Sequence, residues 1–201
     1  MQMLLQTDAI IDENFFWYQH DFLSGSETES MLVCLWQQLQ WQQHEIFLFG
    51  RKVAQPRLSA WYGAPEARYR YSGLQLEPLA WHPVLLSLQE KIENRIQHKF
   101  NSVLANAYRD GNDSMGWHAD DEPELGMNPL VASVSLGARR RFLVRKKGES
   151  RSSGMWLEAG SLLVMKRGCQ QIYQHSLPKT RKPIGLRINL TFRQVRYQLP
   201  A

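Results

Sequence analysis

From residue 102 onward the hydrophobic pattern of this chain repeats every second residue, and that period is incompatible with a helical second half. Side chains alternate across a strand, whereas a helix buries one face every 3.6 residues. Alternating stretches occupy 102–108, 130–136, 141–145, 155–158, 160–165, 171–175 and 186–193. Gly111, Pro129, Gly137, Gly148, Gly154 and Gly160 punctuate them. Many short strands at this spacing predict a sandwich or jelly roll.

The first half is mixed. Residues 1–25 read as an irregular lead-in with a short strand or turn near Phe15 to Tyr18. Residues 26–44 predict a helix that Ser26 caps and His44 closes, with Leu32, Leu35, Trp36 and Leu39 at helical spacing. Ile46 to Phe49 reads as a strand ending in Gly50-Arg51-Lys52. There Phe49 either packs inside a hairpin or forms an apolar wedge beside phosphate contacts. Residues 56–78 interleave Arg57, Arg68 and Arg70 with Trp61, Tyr62, Tyr69 and Tyr71. Such a segment can stack bases and hold phosphates, or it can be the core of a short hairpin. Pro83 opens a second helix to about 99, with Val84, Leu85, Leu88, Ile92 and Ile96 as its buried stripe and Glu93 largely off it.

The 201 residues suffice for one sizeable core. No linker or repeat interrupts them, so 1–201 is expected to be a single domain. No apolar run approaches the length of a membrane span. Met1 to Glu13 has no Lys or Arg ahead of its apolar residues, which argues against a signal peptide. Cys34 and Cys169 are too few for a disulfide framework or a Cys-rich zinc site, and a reducing cytoplasm is the expected setting. Net charge is +5, compatible with a nucleic-acid partner. Arg139, Arg140, Arg141, Arg145, Lys146, Lys147 and Arg151, then Lys179, Arg181 and Lys182, suit a rim facing a polyanion and a plain basic surface about equally.

Chemistry concentrates in Met115 to Glu122. In an extended backbone His118 and Asp120 point to one face, so both can reach one metal ion. Taken alone, His-x-Asp is more often a solvated acidic loop. His175 is the best placed third ligand, and it would complete a 2-His-1-carboxylate triad with positions open for Fe(II) oxygen chemistry. The final strand sets Leu186, Ile188, Leu190 and Phe192 on one face and Arg187, Asn189, Thr191 and Arg193 on the other. That polar face is either solvated or a clamp for the two ends of a small dicarboxylate, which guanidinium groups bind in bidentate fashion.

Together these motifs resemble the AlkB family of Fe(II)- and 2-oxoglutarate-dependent dioxygenases, over roughly residues 46–196. Asn106-Ala107-Tyr108, Trp117-His118-Ala119-Asp120-Asp121-Glu122, Ala132 to Ala138, His175-Ser176-Leu177-Pro178 and Arg187 to Arg193 stand in family order. The resemblance implies a mainly β protein with flanking helices. Its double-stranded β-helix (jelly-roll) core would occupy 102–196, with helices and a nucleotide-recognition lid in 1–101. It implies His118, Asp120 and His175 as iron ligands and Asn106, Tyr108, Arg187, Asn189, Thr191 and Arg193 at the 2-oxoglutarate site, with O2 as the second co-substrate. Asp121 and Glu122 would meet the damaged base, and Tyr69 and Tyr71 would supply the lid aromatics. The implied reaction is oxidative demethylation of N1-methyladenine and N3-methylcytosine in DNA by a monomer, releasing formaldehyde and succinate. Pro56 to Gly63 resembles members that prefer single strands. Phe49-Gly50-Arg51 resembles the finger of members acting on duplex DNA, so strand preference stays open. RNA or another substrate is the alternative within this chemistry, and a metal-bound nucleic-acid-binding module without turnover is the alternative outside it.

Overall fold

The computed structural model is described for residues 12–48, 50–71 and 74–196, with the side chains of 46–48, 69–71 and 74–76 outside that description. In chain order the elements are β1 (Phe16–Gln19), α1 (Gly25–Gln38), β2 (Glu45–Leu48), β3 (Arg51–Ala54), β4 (Leu58–Gly63), β5 (Tyr69–Tyr71), β6 (Leu74–Leu76) and α2 (Pro83–Ile96). The β-rich half follows with β7 (Ser102–Tyr108), β8 (Met115–His118), β9 (Val131–Gly137), β10 (Arg140–Lys146) and β11 (Ser153–Leu157). It closes with β12 (Leu162–Met165), the short α3 (Cys169–Ile172), β13 (Tyr173–Leu177) and β14 (Arg187–Arg193).

Two antiparallel sheets carry the fold, a larger one ordered β1-β12-β9-β14-β7-β4 and a smaller one ordered β11-β10-β13-β8. They face each other as a jelly roll. Phe142, Val144, Leu157 and Tyr173 of the smaller sheet pack against Phe16, Val131, Leu163 and Met165 of the larger. The larger sheet's other face is covered by the helices: Leu35 of α1 and Leu85, Leu88 and Ile92 of α2 meet Val103, Ala105, Val134, Ile188, Leu190 and Phe192. Each such Leu, Ile or Phe contributes roughly 1.5–3 kcal/mol on full burial. Strand β14 therefore has no solvent side. Its apolar residues face the helices and its polar residues face the cleft between the sheets, so the solvated reading of Arg187, Asn189, Thr191 and Arg193 does not hold.

Several local expectations shift. Ser24, not Ser26, caps α1: its hydroxyl accepts from the Glu27 N–H while Glu27 accepts from the Ser24 N–H, a capping box. The helix ends at Gln38, so His44 does not close it; Leu39 is already extended and Gln42 bridges to Ser59. Helix α2 ends at Ile96 and is capped by His82. Glu93 belongs to its buried side, where it accepts from the Phe100 N–H and from Lys99. The turn after β9 needs Gly137, which sits at φ +79°, where an added Cβ would run into the Leu186 carbonyl. The strand expected at 171–175 is displaced, because Cys169–Ile172 coils before β13 begins. Among the described residues no helix is long and apolar enough to cross a membrane.

Candidate active site

Strand pairing brings the three sequence-distant ligand candidates together. In the smaller sheet His175 of β13 lies directly opposite His118 at the end of β8. Their ring centroids are 4.2 Å apart. Asp120 follows two residues on, and one ligand atom from each of His118, Asp120 and His175 lies within 4.8 Å of the others. Neighbours fix the orientation of His118 and Asp120. The Gly116 carbonyl, which can only accept, takes a 2.9 Å bond from His118 Nδ1, so the lone pair resides on Nε2. The Asp120 N–H donates to Gln170 Oε1 at 2.9 Å. Arg193 Nη2 donates to Asp120 Oδ1 at 2.8 Å.

These contacts set the charges. Burial pushes the Asp120 carboxyl up, but the Arg193 guanidinium beside it works the other way and the group is held at about 2. Burial also drives His175 down to about 3, against the pull of Asp120, which keeps its imidazole neutral with a lone pair available. Asp120 Oδ2 is buried and accepts no hydrogen bond. A buried carboxylate oxygen left unpaired costs about 1–3 kcal/mol or more. Two imidazoles and one unpaired carboxylate oxygen in one cluster are a donor set that suits a divalent metal.

From this cluster the polar face of β14 runs the length of the cleft. Arg193 touches Asp120. Asn189 Nδ2 donates to Thr191 Oγ1 at 2.7 Å, and Asn189 Oδ1 accepts from Ser133 at 3.0 Å and from Arg187 Nη2 at 2.7 Å. Arg187 Nη2 also donates to Ser135 at 2.9 Å. Arg187 is only 1% exposed, and its Nε has no partner. Burial lowers it to about 10, so it stays a cation at neutral pH. Asn106 and Tyr108 face the same space from β7, and the whole cleft has a volume of about 490 Å3, part of it open to solvent. Arg57 Nε donates to Asn106 Oδ1 at 3.1 Å. The guanidinium groups of Arg187 and Arg140 lie 5.4 and 5.8 Å from the centre of the Tyr108 ring, and burial raises its hydroxyl so that it stays protonated.

Other expected residues are placed less centrally. Asp121 is exposed and paired with Lys147 at 2.7 Å. The Glu122 carboxyl, crowded by the surrounding chain although the residue as a whole is exposed, is pushed up, with Asp120 and Asp121 adding to the rise and Arg193 opposing it. Tyr69 and Tyr71 lie on β5, paired with β6, and their side chains fall outside the described residues. Phe49 also lies outside them; Gly50 makes the β2–β3 turn at φ +76°, and Arg51 is exposed at the start of β3.

Sequence reasoning missed Gln170 and gave Arg57, Ser133 and Ser135 no place at the site, although Arg57 lies in the aromatic segment and both serines lie in the Ala132 to Ala138 motif. It also misread part of the basic run. Arg140 is 2% exposed and donates to the carbonyls of Asp110, Asp113 and Pro178. Arg145 lies over the Trp117 ring at 4.2 Å. Arg140 is a buried tie and not part of a rim, while Arg145 is half-buried against Trp117.

Over residues 15–193 the chain matches the model of the 2OG-Fe(II) oxygenase superfamily. It is 42% identical over 184 residues to "Alpha-ketoglutarate-dependent dioxygenase alkB homolog 3" of Bos taurus, covering 87% of this chain and 64% of that protein. It is 40% identical over 156 residues to "DNA oxidative demethylase ALKBH2" of Homo sapiens, covering 74% of this chain and 60% of that protein. The chain thus spans less than two thirds of the length of these relatives. The fold is similar to the solved structure described as "The structure of OsALKBH1", with a TM-score of 0.63 at 17% identity, over 89% of this chain and 97% of that one.

Proposed function

The chain belongs to the 2OG-Fe(II) oxygenase superfamily, and on that premise we propose that it repairs alkylated DNA by oxidative demethylation of N1-methyladenine and N3-methylcytosine. The observation that carries this reading is the buried polar face of β14. It sets a buried guanidinium, Arg187, bonded through Asn189 to Thr191, on the same strand face as Arg193, which bonds the carboxylate of the carboxylate-imidazole cluster.

In this reading His118, Asp120 and His175 hold Fe(II). Bound there, the metal supplies the redox chemistry that couples conversion of 2-oxoglutarate and O2 to succinate and CO2 with hydroxylation of an N-methyl carbon. The hydroxymethyl product then loses formaldehyde. Arg187 takes the distal carboxylate of 2-oxoglutarate through its unpartnered Nε side, while Ser135 and Asn189 accept from its Nη2. Tyr108 keeps its proton and donates it, and Asn106 is steadied for its own contact by Arg57. Arg193 balances Asp120 so that the carboxylate stays ionised in a buried place.

Methylation at these ring nitrogens makes the base cationic. Asp121 and Glu122, on the turn following the metal ligands, attract that charge. The Asp121–Lys147 pair then exchanges one cation for another. The blocked pairing edge also lowers the cost of flipping the lesion out of a strand. Tyr69 and Tyr71 would stack on it, with Phe49, Gly50 and Arg51 at the finger.

Incubation with Fe(II), ascorbate, 2-oxoglutarate and an N1-methyladenine oligonucleotide is expected to yield succinate and unmodified adenine. Absence of both with anaerobically reconstituted iron overturns the proposal. Turnover on matched DNA, RNA and free nucleoside separates the substrate classes, and a preference for the nucleoside counts against the lid.

A further inference from the structure

A second cleft, of about 250 Å3 with part of it open to solvent, is lined by His98, Leu125, Asn128, Pro129, Leu130, Arg167, Gln194 and Arg196. Its lining brings together two guanidinium groups and an imidazole and includes no carboxylate. The chain holds them there with backbone bonds. The Arg196 N–H donates to the Glu124 carbonyl at 2.7 Å, and Gly126 turns at φ +77° directly beneath the Arg196 guanidinium. Arg167 donates to the Asn128 carbonyl at 3.3 Å. The His98 ring stands edge-on to Phe100, with centroids 5.0 Å apart. Both arginines are exposed.

Beside these cations the loop presents Met127, which is 83% exposed. Its backbone is not loose, because the Met127 carbonyl accepts from Gln171 Nε2 at 2.9 Å. A large apolar side chain on a pinned loop, next to paired guanidinium groups, has the chemistry of a contact that takes a phosphate on one side and a sugar or base face on the other. The cleft is near the candidate active site along the chain. Arg196 follows Arg193, the partner of Asp120, by three residues, and Met127 follows Glu122 by five.

We infer that Arg167 and Arg196, with His98, form a subsite for one backbone phosphodiester of a single strand, and that Met127 packs against the nucleotide next to it. This rests on the nucleic-acid reading above. It adds a contact outside both the metal site and the lid, and it gives the strand a fixed track past the turn that carries Asp121 and Glu122.

The test is fluorescence anisotropy of a labelled, unmethylated single-stranded 12-mer against the full chain across a salt series. Removing two phosphate contacts from a single strand flattens the slope of log K against log salt by roughly 0.7 per charge, about 1.4 in all. R167Q/R196Q is expected to show that change together with roughly tenfold weaker binding near 0.1 M salt, whereas R167K/R196K keeps most of the affinity. M127S is expected to bind severalfold more weakly with an unchanged slope. K91Q/R95Q removes the same two charges from α2, and its slope is expected to stay that of the wild type.

If both double-glutamine variants lose affinity equally, only net charge is at work and the subsite is wrong. Inorganic phosphate at matched ionic strength is the second arm. If it displaces the oligonucleotide from the wild type as effectively, per phosphate, as a competing strand does, the cleft takes a free oxyanion and the strand contact falls. Wild-type protein that binds no strand at all sinks the function proposed above, whereas wild-type binding that R167Q/R196Q leaves intact sinks only the subsite.

Discussion

Two arginines on one strand face, six positions apart, do different work because of what stands opposite each. Arg193 meets Asp120 and is used up in holding that carboxylate ionised. Arg187 meets only neutral partners, Ser135, Asn189 and the Tyr108 ring, and keeps its charge unspent in a buried place. A buried cation without a counter-ion is costly and calls for an anion. Arg187→Lys, which cannot make a bidentate pair, is expected to raise the KM for 2-oxoglutarate about 10–100-fold, the loss of one charged hydrogen bond. Metal affinity measured with Mn(II) in the same variant should stay within about threefold. Gln170 shows the reverse case, since it touches the backbone of a metal-ligand candidate and not its carboxylate. Gln170→Leu is expected to weaken Mn(II) binding about 10–100-fold, and calorimetry that finds unaltered affinity would remove Gln170 from the site.

At the level of elements, α1 and β14 show how position decides what a pattern means. Ser24 and Ser26 each have a glutamate three residues on, Glu27 and Glu29, so the local pattern offers two caps, and the reciprocal pair forms at Ser24 with Glu27. Glu27 also receives Lys91 from α2 at 2.7 Å, which ties the two covering helices together. The Lys91 bond, then the Ser24 N–H and hydroxyl, hold the Glu27 carboxyl down at about 2 against its ordinary 4.5. As pH falls the unfolded chain takes up this proton first. The contribution of the group is therefore complete above pH 4.5 and disappears towards pH 2. Glu27→Gln is expected to lower Tm at neutral pH and to flatten its decline between those limits. Superimposable acid limbs for the two proteins would show that the contact is not formed in solution. Breaking the cap itself by Ser24→Ala should cost about 1 kcal/mol in chemical denaturation.

For the molecule as a whole, one sheet serves two layers: helices on one side, a ligand cleft on the other. The cleft faces carry Arg187, Asp120, His175 and Asn106, all at most 6% exposed. Their burial without a ligand works against stability, so ligands that fill the cleft should stabilise the fold strongly. Mn(II) with a non-reactive 2-oxoglutarate analogue at 100 times its Kd is expected to add about 2.7 kcal/mol, or roughly 5–10 °C in Tm. No shift beyond that given by Mn(II) alone would argue against an anion site at Arg187. The sequence by itself determined the β-rich second half, the two faces of β14 and the stripe of α2, and it singled out His118 and Asp120 as a pair. Each is written in a local period or a two-residue spacing, and local geometry follows from local sequence. Tertiary structure alone decided that the polar face of β14 is interior, that Arg140 is a buried tie between loops, and that Gln170 and Arg57 steady the site. Those outcomes depend on which strands become neighbours, as when β13 sets His175 opposite His118 across 57 residues of chain. A side chain's role there is fixed by partners that lie far from it in sequence.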